Sequence, residues 1–168
     1  ASAGCRRESF HEEEYLEAHA TLEAAGYRFY EVSNAARPGK EAVHNRAYWR
    51  LAPYLGFGPS AHSFDGTSRW WNEAAYARWQ RLIAQGDSPI AGREILGEPQ
   101  RRLEQLYLGL RTSDGIAVTE ALALMVGRWI ESGWAEWLGA GEADAAARGR
   151  ARLTPRGWLR LDALVASL

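Results

Sequence analysis

Apolar positions along this chain follow two rhythms, one near 3.6 residues and one of two, and the switches between them mark out the elements. Tyr15, Leu16, Ala18, Leu22 and Ala25 share a helical face. The capping-box pattern Ser9-x-x-Glu12 precedes them and Gly26 follows, which predicts a helix over residues 10–25. Tyr27-Arg28-Phe29-Tyr30-Glu31-Val32 then alternates and is rich in aromatic and β-branched residues, so it reads as a strand. A helix leading directly into a strand is the repeating unit of a parallel α/β sheet, so the front of the chain is expected to form the last units of an incomplete α/β barrel. Residues 44–49 fit a helical turn ending before Pro53, 54–58 a short strand, and 68–72 an edge strand. Residues 73–85 fit a helix with Tyr76, Trp79, Leu82 and Ile83 on one side. Residues 86–99 carry Gly86, Pro89, Gly92, Gly97 and Pro99 and are expected to be a domain junction.

Beyond that junction the spacing is mainly helical. Leu103, Leu106, Tyr107 and Leu110 predict a helix over 100–111, broken by Asp114-Gly115. Leu122, Met125, Val126, Trp129 and Ile130 predict a second over 118–132, stopped by Gly133. Residues 134–138 alternate like a strand, 139–149 are small and polar with an alanine-rich stretch at 145–147, and 151–153 can return as the partner strand. Thr154-Pro155 supplies an N-cap and an N1 proline for a final helix carrying Trp158, Leu161, Leu164, Val165 and Leu168. The expected architecture is thus an α/β part over residues 1–90 and a small winged-helix-like domain over 91–168, α+β overall.

Composition narrows the function classes. The 168 residues are 46% hydrophobic with a formal net charge of -1, which advertises no polyanionic partner. Residues 145–168 hold five arginines and one aspartate. Winged helices often bind DNA, but the last helix offers only Arg156 and Arg160, so nucleic-acid binding is the weakest of the functions considered. No apolar run approaches the ~18 residues that span a bilayer, and a cytoplasmic setting is the default expectation. One cysteine, Cys5, excludes a disulfide framework.

Candidate chemistry concentrates in residues 27–63. Glu31, Asn34 and Arg37 lie just past a strand's end, where α/β folds place binding groups, although the same residues equally cap and brace a turn. On a helix His44 lies over Tyr48 and Asn45 over Trp49, which sets an imidazole beside aromatic surface. From spacing alone His44 reads as readily as a hydrogen-bonded structural histidine. His62, in the small-residue turn Pro59-Ser60-Ala61-His62-Ser63, reads as structural ahead of a ligand or proton carrier. Gly56-x-Gly58-x-x-Ala61 imitates a dinucleotide fingerprint, but Pro59 follows the second glycine and no amphipathic helix opens there, so that reading is rejected.

The ordered set Tyr30-Glu31-Val32-Ser33-Asn34, Ala36-Arg37-Pro38-Gly39, His44-Asn45-x-x-Tyr48-Trp49 and Tyr54-Leu55-Gly56-x-Gly58-x-x-Ala61-His62 resembles the oxygen-independent coproporphyrinogen III oxidase-like family of radical-SAM proteins. The pattern His44 to Trp49, with the pair Trp70-Trp71, resembles its haem-chaperone subgroup. The resemblance implies haem or another tetrapyrrole as ligand, with His44, Asn45, Tyr48 and Trp49 as the haem-binding motif and His44 as the iron ligand. It leaves Glu31, Asn34, Arg37 and His62 as candidate ligand-facing residues. It also implies a 4Fe-4S cluster and S-adenosylmethionine in an N-terminal half that this chain lacks, no catalytic residue in the chain itself, and haem-accepting proteins as partners. A cluster needs closely spaced thiolates, and Cys5 alone does not supply them, so the chain is expected to be a C-terminal part of such a protein. The alternative under the same resemblance is the substrate-covering half of a porphyrinogen oxidase. The family position often held by cysteine is Val43 here, which removes a thiolate from beside His44.

Overall fold

The computed structural model describes residues 3–139 and 147–168. In chain order the elements are α1 (Ala3–Ala24), β1 (Arg28–Glu31), β2 (Asn34–Ala36), α2 (Val43–Trp49), β3 (His62–Phe64), β4 (Ser68–Asn72) and α3 (Tyr76–Gln85). They continue with β5 (Ile90–Ile95), α4 (Glu98–Arg111), β6 (Ile116–Thr119), α5 (Glu120–Glu131), β7 (Ala135–Leu138), β8 (Ala147–Leu153), α6 (Pro155–Trp158) and α7 (Leu161–Val165). The mixed α and β class is the expected one, but every strand pairing among the described residues is antiparallel. The reason lies in connection length. Only Val32 and Ser33 separate β1 from β2, enough for a hairpin, whereas parallel strands need a crossover of roughly a dozen residues.

The described chain divides into two compact units, one of residues up to Arg46 together with Leu106–Leu168, the other Ala47–Gln105. The first unit has a three-stranded sheet in the order β6-β8-β7, with α5 against all three strands. Leu110, Val118, Val126, Trp129, Leu153, Trp158, Leu161 and Leu164 form its buried core, and Phe29 and Val32 from the β1 segment pack against it. Backbone bonds tie the same segment in: Val32 N–H donates to the Arg111 carbonyl (3.0 Å) and Ser113 N–H to that of Tyr30 (3.1 Å). Sequence spacing could not reveal this, because the partners are some 80 positions apart.

Several boundaries shift for identifiable reasons. The first helix begins at Ala3, upstream of the predicted cap at Ser9, whose side chain lies outside the described residues, as does that of Cys5. Gly26 stops it as predicted, at φ +84°. The Asp114-Gly115 break leads into β6, which the sequence reading missed, and Ile116 and Val118 alternate inward from it. The two-stranded wing is therefore the outer part of a three-stranded sheet. Its turn, over 140–146, lies outside the described residues. The final helix is two short pieces, α6 capped by the Thr154 hydroxyl as predicted, then α7. Trp129 and Trp158 are core, with the Trp158 indole N–H donating to the Leu110 carbonyl at 3.0 Å, while Trp137 is 47% exposed.

In the second unit, β3, β4 and β5 form an antiparallel sheet in that order. The segment expected to be a junction thus contains β5. Its Gly92 lies against the Trp71 indole with no room for a Cβ, so the residue that looked like a breaker is what lets the strand sit on that ring. Helix α3 ends at Gly86 (φ +76°), with Asp87 N–H returning to the Leu82 carbonyl. Arg69 links the sheet to α4, donating to Glu104 at 2.7 Å and lying 3.7 Å from Glu94. No helix among the described residues is long and apolar enough to cross a membrane.

Candidate functional site

Helix α2 carries the motif in which the sequence concentrated its chemistry. It forms where the spacing predicts, before Pro53, and closes with Leu51 N–H on the Tyr48 carbonyl and Ala52 N–H on that of Ala47, both 3.0 Å. That paired return is a Schellman stop, which places Leu51 in the left-handed region at φ +52°, where glycine is the usual occupant. His44 is exposed near the start of the helix, and Asn45, Tyr48 and Trp49 are half-buried. One helical turn separates His44 from Tyr48 on the same face. The Tyr48 ring is held edge-on against Tyr54, centroids 4.6 Å apart at 66°, and Tyr54 bridges to Phe64 through both backbone groups. Burial raises the pKa of the Tyr54 phenol, with Arg69 pulling the other way.

The β1-β2 turn gathers a second polar cluster. Glu31 is fully buried, and one carboxylate oxygen accepts from the Ser33 N–H (2.9 Å), the Ser33 hydroxyl (2.8 Å) and the Asn34 side-chain amide. The other lies 3.0 Å from the Arg111 guanidinium. Glu31 and Asn34 therefore brace their own turn, and Glu31 faces inward. Arg37 lies over the Tyr27 ring at 5.6 Å. Above the carboxylate, the Tyr15 hydroxyl donates to the Val32 carbonyl at 2.7 Å. Burial, reinforced by the Glu31 charge and opposed by Arg111, pushes the Tyr15 pKa up to about 12.

Two groups here escaped the sequence reading. Arg111 comes from α4 and meets Glu31 only in the folded chain. His19 is 3% exposed, stacked on Phe29 at 3.5 Å between centroids, with Tyr15 at 4.6 Å and Trp158 at 5.7 Å. Neither ring nitrogen has a hydrogen-bond partner among the described residues, and burial lowers its pKa, with Glu23 opposing. Its place on the helical face of Tyr15 and Leu22 was the available signal.

His62 is exposed at the start of β3, opposite Trp71, ring centroids 6.0 Å apart. Adjacent strand residues point to opposite faces, so Trp71 shares a face with His62 and Trp70 with Ser63. Gly56 packs against the His62 carbonyl with no space for a Cβ, and its N–H donates to the Ser63 hydroxyl at 3.0 Å. The glycine of the Leu55-Gly56-x-Gly58 motif serves close backbone approach. Among the described residues no three His, Cys, Asp or Glu side chains group as a metal site.

The donor set on α2, one exposed imidazole with an aromatic ring on its helix face, is of the kind that would hold a haem iron. The single cysteine does not fit a 4Fe-4S cluster.

No protein-family model matches the chain. The haem chaperone HemW of Mycobacterium tuberculosis is 36% identical over 149 residues, covering 89% of this chain and 37% of that protein. HemW of Bacillus subtilis is 34% identical over 96 residues, 57% of this chain and 25% of that protein. Among solved structures, Escherichia coli coproporphyrinogen III oxidase (HemN), a radical SAM enzyme, superposes with a TM-score of 0.62 at 15% identity, over 90% of this chain and 39% of that one. The chain thus spans little more than a third of the length of the Mycobacterium relative. Motif order, fold and sequence similarity agree, and the chain belongs to the HemN/HemW-like family.

Proposed function

We propose that this chain is the tetrapyrrole-binding part of a radical-SAM haem-chaperone-like protein, with His44 as the haem-iron ligand and Asn45, Tyr48 and Trp49 completing the motif. The observation that carries the reading is the placement of His44: its imidazole is exposed on α2, and the aromatic ring one turn away is held by Tyr54. Haem, when bound, would supply an iron that a neutral imidazole nitrogen of His44 could hold. The role of the chain is then to present that nitrogen, cover part of the macrocycle with aromatic surface and keep the ring tautomer fixed. The 36% identity to a relative named as a haem chaperone supports a chaperone over the substrate-covering part of a porphyrinogen oxidase. Under this reading the cluster and S-adenosylmethionine belong to the remainder of the parent protein, and haem-accepting proteins are its partners. Nucleic-acid binding loses support, since Arg150 donates to the Asp114 and Gly115 carbonyls and Arg152 pairs with Glu136.

The test is haem titration of the complete protein followed by absorbance. His44→Ala should lose the Soret shift, because the iron ligand is gone. Trp49→Ala should bind more weakly with a similar spectrum, since it removes contact area alone. His62→Ala should stay close to the unmodified protein. If His44→Ala retains spectrum and affinity, His44 is not the ligand.

A further inference from the structure

Within the unit of residues 47–105 lies a cleft of about 280 Å³, bounded by the β4 side chains Trp70 and Asn72 and by Trp79 and Ile83 of α3. The lower edge of small-ligand pockets is roughly 300 Å³, so the space suits one or two rings or a short acyl chain and not a macrocycle. Its rim is apolar and open to solvent: Phe57 is 89% exposed, Leu55 67%, Ile83 50% and Ile90 41%. A contiguous group of this kind on one small unit marks a binding surface.

Two further features give the occupant its chemistry. The indole Nε1–H of Trp79 is buried and has no acceptor among the described residues. Buried donors are nearly always satisfied, so this N–H is a donor that a ligand oxygen reaching it would complete. The second feature is charge. Arg93 of β5 stands directly opposite Trp70, its guanidinium 5.2 Å from the indole centroid. Directly opposed residues share a face of the sheet, so this positive charge lies on the face that lines the cleft. Asp65, which feels Arg93, already accepts hydrogen bonds from Thr67 and Ser68.

We infer that this cleft binds a small amphipathic carboxylate, its aromatic or acyl body against Trp70, Trp79 and Ile83 and its anionic end drawn by Arg93. The site is separate from the helix α2 motif and does not depend on the haem reading.

Two fluorescent probes that share an aromatic body test it: 8-anilinonaphthalene-1-sulfonate, an anion, and N-phenyl-1-naphthylamine, which is neutral. At low salt the anion should bind about tenfold more tightly, the worth of one charge-assisted contact. Arg93→Gln should erase that preference while leaving the neutral probe's affinity unchanged, and Arg81→Gln, an exposed arginine elsewhere on α3, should do neither. Trp79→Phe, which keeps a ring and deletes the N–H, should weaken the anion several-fold. Ile83→Glu should abolish both. Octanoate or benzoate should displace the bound anion. Near-ultraviolet circular dichroism checks each variant's fold, and if Trp79→Phe is misfolded the exposed Arg93 and Ile83 variants decide. Equal affinity for the two probes, an inert Arg93→Gln, or failure of both carboxylates to compete overturns the proposal. Probe binding that Ile83→Glu leaves intact overturns it too, and so does a cleft that accepts only an apolar protein side chain.

Discussion

Gly157 lies so close to the Trp134 carbonyl that a single added methyl group has no room, and the neighbouring Leu153 side chain closes the other side. Gly157→Ala should therefore destabilise the first unit by about 2 kcal/mol, the cost of overpacking a closed site, read from the urea midpoint at constant slope. His19 gives a pH-dependent counterpart. Burial holds its folded pKa below the ordinary value, so the unfolded chain binds a proton that the folded one refuses. Its contribution is fully present above the unfolded pKa of about 6.5 and is lost as pH falls through the depressed folded value. His19→Phe keeps a ring against Phe29 and should flatten this acid limb when unfolding is followed between about pH 7 and pH 5. An unchanged acid limb would mean that other groups cause it. At this scale the sequence revealed which residue types stand at special places, such as glycine at 56 and histidine at 44. It did not reveal that Gly56 faces the His62 carbonyl or that His19 is enclosed, because those neighbours arrive from other elements.

Among the elements, helices were the more legible. Helices α3 and α5 fall near their predicted spans, since amphipathic spacing and a terminal glycine are local signals. Strands β5 and β6 were hidden inside apparent breaks. In β5 the glycine that argued against a strand is required by the Trp71 ring across the pair. Gly92→Val should push that ring aside and release β5. Limited proteolysis should then cut first within residues 86–99 in the variant, whereas the hydrogen-bonded strand of the unmodified chain resists cleavage there. First cleavage in that segment of the unmodified chain would show that β5 is not stably paired.

At the scale of the molecule, all the buried apolar side chains among the described residues except Phe64 belong to the unit built around α5 and β8. Local stability follows buried apolar contact, so amides of α5 and β8 should exchange most slowly and those of β3 to β5 through smaller openings, measured by hydrogen exchange with mass spectrometry. Anaerobic reconstitution of this chain with iron and sulfide should yield no stoichiometric cluster absorbance, because one thiol cannot hold one. That last expectation rests on the sequence alone, as do the family motifs, the α2 turn with His44 and Tyr48 on one face, and the helix stops at Gly26 and Gly86. Each is set by residues within a few positions of one another. The tertiary structure decided the rest: that β1 turns back on β2, that Ile116 pairs with Ala151, that Arg111 meets Glu31, and that the front of the chain joins the rear in one core. Those choices depend on free energy shared between residues tens of positions apart, and a local pattern states that a face is apolar without naming what will cover it.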